Sequence, residues 1–384
     1  MDHLQEKLEA LFMDLHRHPE TALEEFRTTR VLREELQAAD IPLSDLPLPT
    51  GVLAWLGTGR PPVIALRCDL DALPVQEATG LPYASETPGK MHACGHDFHA
   101  SSLLGAALLL REKSSSLPGT VRLIFQPSEE VNDGALSMMG TGLLADVQEY
   151  FALHTDPTIE AGTLGIREGA IMASPDRFTI RVHGRGAHGA EPQNSLDPIV
   201  CAASLVLALQ QIVARRISPF SSAVLSICRL HAGNTWNVIP EEALLDGTLR
   251  TLSEEDRALG RRVLEETAES IARAYGCTAE TEYFSQSHPL INQPELAAFA
   301  RETAASLGIP VIRQEPAMIG EDFAEYLRNR PGCMVRVGTG LGPGLHHPKF
   351  RADPSVLSQT ARFLAELASR RLEALAAGKE ISAP

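Results

Sequence analysis

Val63-Ile64-Ala65-Leu66 is an unbroken apolar run that follows Pro61-Pro62, and it reads as a strand buried on both faces. Upstream, Val52-Leu53-Ala54-Trp55-Leu56 ends at Gly57-Thr58-Gly59 and reads the same way. Downstream, Val121-Arg122-Leu123-Ile124-Phe125 and Tyr150-Phe151-Ala152-Leu153 repeat the pattern, after a helix expected from about Asp97 to Lys113. Apolar strands that alternate with helices predict an α/β domain with a largely parallel sheet covered on both sides. The first 38 residues predict a helix with Leu4, Leu8, Leu11 and Leu15 on one face. His18-Pro19-Glu20 interrupts it, because proline disfavours a helical residue before it.

The character of the chain changes near Ser174-Pro175. Phe178-Thr179-Ile180-Arg181-Val182-His183 alternates apolar and polar, as an antiparallel strand with one wet face does. A helix from about Pro198 to Ile217, strands at Ala223–Leu230, Glu242–Thr251 and Thr278–Phe284, and a helix from Glu254 to Tyr275 complete an α+β unit of roughly 110 residues, the size of one domain. After Pro289 the α/β style returns, with a helix from Glu295 to Leu307, a strand Cys333-Met334-Val335-Arg336-Val337 and a closing helix to about Ala376. The economical organisation is one α/β domain, residues 1–174 with 289–384, interrupted by an inserted α+β domain, residues 175–288.

With 34 Lys+Arg against 49 Asp+Glu the net charge is −15 over 384 residues, which argues against gripping nucleic acid or an anionic lipid surface. The run Leu103-Leu104-Gly105-Ala106-Ala107-Leu108-Leu109-Leu110 is far shorter than the roughly 20 residues of a membrane span. Met1-Asp2-His3-Leu4-Gln5-Glu6 lacks a basic region followed by an apolar core, so no secretory signal is expected. A soluble, cytoplasmic protein is expected. Its cysteines, at 68, 94, 201, 228, 277 and 333, form no C-x-x-C pair, and reduced thiols are expected.

Chemistry-bearing residues gather in four places. Met91-His92-Ala93-Cys94-Gly95-His96-Asp97-Phe98-His99 joins a thiol and imidazoles at the start of a helix, whose positive end favours a thiolate. Alone, this pattern would also suit a surface cluster of histidines. Gln126-Pro127-Ser128-Glu129-Glu130 follows a buried strand, where one carboxylate can hold a metal and the other act as general base. Taken singly it would also suit a solvated helix start. His154 ends the strand Tyr150–Leu153, and His346 lies in Leu345-His346-His347-Pro348 after the glycine-rich Gly338–Gly344. Ligands of open α/β sheets gather beyond the carboxyl ends of strands; Glu129, Glu130 and His154 hold such positions, and His96 and His346 lie in loops expected to reach the same edge.

The chain resembles the co-catalytic metallopeptidase family of aminoacylases, bacterial dipeptidases and carboxypeptidase G. Within it, the resemblance is to the amidohydrolase subgroup of hippurate hydrolase and plant auxin-conjugate hydrolases. The residues that carry it span nearly the whole chain: Leu15-His16-Arg17-His18-Pro19-Glu20, Arg67-Cys68-Asp69-Leu70-Asp71-Ala72-Leu73-Pro74, His92-Ala93-Cys94-Gly95-His96-Asp97, Ser128-Glu129-Glu130, Gly233-Asn234-Thr235-Trp236-Asn237-Val238-Ile239-Pro240, Gly320-Glu321-Asp322-Phe323 and Leu345-His346-His347-Pro348.

The resemblance implies a centre of two divalent metal ions bridged by Cys94, where most of the wider family uses aspartate. His96, Glu130, His154 and His346 would complete the ligands, with Glu129 as general base. Asp69 matches the family's ligand-supporting aspartate, and Arg67 stands where the wider family has a metal-binding histidine. The inserted domain resembles a dimerisation lid, in which His188 would stabilise the oxyanion from the partner subunit and Asn237 and Arg250 would orient the substrate. Pro192-Gln193 departs from the subgroup's Pro-His, and Gln193 has no acid/base chemistry. His92, His99, His183, His231 and His347 read as structural or ligand-supporting, and Cys68, Cys201, Cys228, Cys277 and Cys333 as buried apolar residues.

The implied activity is metal-dependent hydrolysis of N-acyl amino acids to a carboxylic acid and a free amino acid, by a homodimer or higher homo-oligomer without nucleic-acid or membrane partners. Zinc or manganese suits the donors, and cobalt or nickel is compatible with them. A dipeptidase, an N-acetyl-diamino-acid deacetylase and a catalytically silent binding relative are the alternatives.

Overall fold

The computed structural model describes residues 3–381. Helix α1 (His3–Arg17) buries Leu8, Leu11, Phe12 and Leu15, the spacing its sequence predicts, and α2 (Phe26–Ala38) follows the Pro19 interruption. Fully burying each such side chain is worth about 1.5–3 kcal/mol. Strands β1 (Val52–Gly57), β2 (Val63–Asp69), β3 (Thr120–Gln126) and β4 (Glu149–Asp156) are buried along almost their whole length. Between β2 and β3 runs α3 (His96–Glu112), which is buried nearly all round.

The sheet of the first unit has seven strands in the order β1, β3, β2, β4, Gly332–Gly338, Leu164–Gly165, Val311–Ile312. β2 pairs parallel with β3 and with β4, and β4 pairs parallel with Gly332–Gly338. The antiparallel steps are β1 on β3 and Leu164–Gly165 on Gly332–Gly338. The sheet is therefore mixed but mostly parallel, and the carboxyl ends of β2, β3 and β4 share one edge. Gly105 is where α1, α3 and the closing helix Leu357–Ala376 meet. A Cβ there would stand 2.6 Å from Leu8 Cδ1 and 2.7 Å from Ala361 Cβ. Only a residue without a side chain lets the three helices approach so closely.

The chain divides into two compact units. One comprises residues up to Gly169, Ile291–Glu315 and the chain from Glu325 onward; the other comprises Ala170–Leu290 and Pro316–Ala324. The return of residues 316–324 to the second unit is a detail that the sequence pattern does not display. It is made by a bridge between Met172 and Ala317 and by the Ala173 N–H donating to the Ile319 carbonyl (3.0 Å).

The second unit carries an antiparallel four-stranded sheet in the order Thr278–Phe284, Ser174–His183, Glu242–Thr251, Ala223–Ala232. The helix expected up to Ile217 instead ends at Leu209 and gives way to a π turn at Ile212–Arg216. By length and composition Pro198–Arg216 could cross a membrane, but Cys201, Ala202, Leu205, Leu209 and Ile212 are buried in this unit's core. Cys228 corrects an expectation. It lies on Ala223–Ala232, at the end of the sheet order, and is exposed rather than buried.

Candidate metal centre

The shared edge of β2, β3 and β4 brings the candidate donors together. β2 ends at Asp69, β3 leads into Ser128-Glu129-Glu130, and β4 carries His154 and Thr155. Cys94 and His96 arrive from the start of α3. Gly95 between them has φ +83°, and a Cβ on it would stand 2.7 Å from Thr155 Oγ1. The turn therefore needs glycine twice over, for its conformation and for its contact with β4. Thr155 Oγ1 also donates to the Cys94 carbonyl at 2.8 Å. His346 has φ +63°, an uncommon conformation for a residue with a Cβ, and its N–H donates to the Ala93 carbonyl at 2.8 Å.

The donor atoms form overlapping groups, each with its atoms within 4.8 Å of one another: Cys94, His96 and His154; Cys94, Glu130 and His346; and His96, Glu129 and Glu130. Cys94 belongs to two of them. His154 Nδ1–H donates to the Thr155 carbonyl at 2.8 Å, which leaves the Nε2 lone pair directed into the site, 3.5 Å from Cys94 Sγ. Burial holds the His154 imidazole well below its ordinary pKa, so it is a neutral donor. Burial pushes the Cys94 thiol up. The Cys94 sulfur and the Glu130 carboxylate raise His346 to about 10, since this corner of the site attracts positive charge.

Supporting residues fix the orientation of the donors. Thr155 N–H donates to His99 Nε2 at 2.8 Å, so the ring proton is on Nδ1, which donates to Asp69 Oδ1 at 2.5 Å. Arg67, wholly buried in its side chain, donates to Asp69 Oδ2 at 2.7 Å and to Gln126 Oε1 at 3.0 Å. Burial alone would raise the Asp69 carboxyl, but His96, His99 and Arg67 outweigh it and hold the group well below the usual carboxylate range. His99 thus touches Asp69, whereas His231 and His347 are exposed and His183 is half-buried on the second unit's sheet. His92 is buried with neither ring nitrogen hydrogen-bonded.

The donors fit divalent metal ions. Nε2 of His96 and Oε1 of Glu130 are buried without a hydrogen-bond partner. A tetrahedral ion with ordinary zinc–sulfur and zinc–nitrogen bond lengths sets its sulfur and nitrogen ligands about 3.5 Å apart. The Cys94–His154 separation matches that spacing.

The remaining candidates lie on the second unit. His188, on Ala187–His188, pairs with Val238 across a two-stranded ribbon, and the Gly189 N–H donates to the Asn237 carbonyl at 2.8 Å. His188 is exposed, and its Nδ1 accepts the Ala190 N–H at 3.1 Å. Arg250, on Glu242–Thr251, donates to the Met318 carbonyl at 2.8 Å. Gln193 sits in an exposed turn at Pro192–Asn194. Asp71 and Glu25, which the sequence pattern does not mark out as functional, are both buried beside the Ser128–Glu130 turn. The only signal was that Asp71 lies within the run Arg67–Pro74.

A thiol, imidazoles and carboxylates converging at the carboxyl edge of a mostly parallel sheet define the centre of a metal-dependent hydrolase. Residues 65–370 match peptidase family M20/M25/M40. The chain is 43% identical over 364 residues to N-acetylcysteine deacetylase of Bacillus subtilis (strain 168), covering 94% of this chain and 96% of that one. It is 35% identical over 369 residues to IAA-amino acid hydrolase ILR1-like 5 of Arabidopsis thaliana, covering 93% and 85%. A solved Bacillus subtilis structure, described as a dinuclear metal-binding peptidase of the M20 family, is 40% identical with a TM-score of 0.88 over 96% of this chain and 99% of that one. The chain belongs to peptidase family M20/M25/M40 and is a hydrolase.

Proposed function

We propose that the protein hydrolyses the amide bond of N-acyl amino acids at a centre of two divalent metal ions, zinc or manganese by donor chemistry. The observation that carries this reading is that Cys94 Sγ lies within 4.8 Å of donor atoms of His96 and His154 and likewise of Glu130 and His346. His96 and Glu130 recur in more than one such group too, but an imidazole nitrogen has a single lone pair, whereas a thiolate sulfur has several. Cys94 would then be the shared ligand. When bound, the ions supply Lewis-acid polarisation of the acyl carbonyl and make water a stronger acid.

Glu129 lies among the donors, beside Glu130 and His96. It takes the proton of the attacking water and passes it to the leaving amine. Asp69 holds His99 and Arg67 in place behind the ligands. Because Nδ1 of His188 accepts a backbone N–H, the proton of the neutral ring is on Nε2, which is thereby a donor to the oxyanion. Asn237 and Arg250 orient the substrate. The names of the similar proteins, a deacetylase of an N-acetyl amino acid and an amino-acid conjugate hydrolase, support this substrate class.

The working unit in this proposal is a homodimer. Ala223–Ala232 ends the second unit's sheet order, and Ile199, Val200 and Leu207 are exposed on Pro198–Leu209, an edge and an apolar face that a second copy would cover. A thiolate ligand is best preserved in a reducing compartment, which supports a cytoplasmic location. The test is the metal content of the purified protein together with chelator-sensitive hydrolysis of a panel of N-acyl amino acids. Two metals per chain and release of free amino acid are expected. A metal-replete protein that cleaves no member of the panel would refute the reading.

A further inference from the structure

Beyond the ligands and the base, Ser128-Glu129-Glu130 is held by its main chain. Ser128 has φ +60°, a conformation in which successive N–H groups converge on one side to form an anion-binding concavity. Two buried carboxylates fill it. Ser128 N–H donates to Glu25 Oε1 at 2.8 Å, while the Glu129 and Glu130 N–H groups donate to Asp71 Oδ1 and Oδ2 at 3.0 and 2.9 Å. Asp71 Oδ1 also lies 3.3 Å from His96 Nδ1. One carboxylate, 1% exposed and two residues beyond the end of β2, thus contacts the segments carrying the base and two ligands.

We infer that Asp71 is the positioning residue of the centre, setting Glu129, Glu130 and His96 relative to one another through their main chain and through Nδ1. This rests on the functional reading above. Hydrogen bonds accepted by a carboxylate are roughly twice as strong as neutral ones, and both oxygens are needed here, one for each N–H. Asparagine matches the shape but must turn its NH2 toward one of those N–H donors. Supports of metal ligands are typically worth 10–100-fold in metal affinity, and a displacement of about 1 Å at a reacting group can cost about 100-fold in rate.

The test combines Asp71→Asn with Glu129→Gln, in single and double variants, at saturating metal. Three quantities are read: kcat, zinc affinity by chelator competition, and thermal stability of the metal-free protein. Asp71→Asn should weaken zinc binding at least about tenfold and lower kcat about 10–100-fold with KM little changed. On the Glu129→Gln background the same change should cost clearly less in kcat than on wild type, because the part of the effect that acts through Glu129 is gone while the part through Glu130 and His96 remains. A full multiplicative loss in the double variant, or unchanged zinc affinity, would overturn the inference. If Asp71→Asn does not fold, Asp71→Ser, which keeps one acceptor, is read in the same way. If Glu129→Gln alone leaves kcat within tenfold of wild type, the general-base reading fails, and the zinc affinity of Asp71→Asn still decides on Asp71.

Discussion

His154 Nε2 faces Cys94 Sγ at 3.5 Å, with its orientation set by the bond from Nδ1–H to the Thr155 carbonyl. A strand end and a helix start thus hold a thiol and an imidazole nitrogen at the spacing of two donors to one ion.

Thiol labelling tests that relationship. A coordinated sulfur is unavailable as a nucleophile, so alkylation of Cys94 should be blocked by bound metal. After chelation it should proceed, and faster with rising pH, because burial pushes this thiol up. Equal labelling with and without metal would remove Cys94 from the centre.

His16 predicts a pH dependence of stability. Burial disfavours its charge, but Asp97, 2.6 Å from Nδ1, and Glu77 outweigh burial and raise it to about 9. A folded pKa above the unfolded value of about 6.5 gives a contribution that is complete below pH 6.5 and disappears as pH rises through about 9. In urea unfolding of the chelated protein, the stability difference between wild type and His16→Gln should therefore shrink by up to roughly 3 kcal/mol across that window. His16→Gln should be less stable at pH 6 and less steep across the window. Parallel curves for the two proteins would contradict the assignment.

Arg371 and Glu149 form a bidentate pair at 2.6 Å with side chains 4% and 2% exposed. Removing one partner leaves the other charge buried alone, so Arg371→Ala should cost about 3–5 kcal/mol in chemical denaturation. The double replacement Arg371→Met with Glu149→Leu should recover much of the loss, because no charge is then stranded. A loss under about 1 kcal/mol for the single variant would show that water reaches the pair.

Subunit mixing tests the proposed dimer. His188→Ala should keep its metals yet lose about 100-fold or more in kcat, the scale of a lost oxyanion donor. Mixed with inactive Glu129→Gln, it should regain up to about half of wild-type activity per heterodimer, because one site then contains both intact residues. Demonstrated exchange without recovered activity would confine His188 to its own chain or remove it from the reaction.

Much of the fold was legible because the strands around the site are long apolar runs and α1 repeats leucine at helical spacing. The place of Glu129, Glu130 and His154 at one edge was legible from order along the chain, since strand ends of a parallel sheet share an edge, whereas Cys94, His96 and His346 lie in loops and were joined to them by the family resemblance. Residues that act through the main chain were not. The grip of Asp71 on two N–H groups depends on the left-handed turn at Ser128, which a serine does not advertise. Cys228 misled because an apolar residue type says nothing about which strand ends the sheet order. The end of the helix at Leu209 and the return of residues 316–324 are likewise set by tertiary packing rather than by local pattern.

The central claim is that Glu129 moves the proton while its neighbours hold the metals. The most direct measurement is metal content and kcat of Glu129→Gln against wild type on the best N-acyl amino acid of the panel. Two bound metals with kcat lowered by several orders of magnitude are expected. A loss of less than about tenfold with metals retained would contradict the account, because general-base catalysis is typically worth at least about 100-fold.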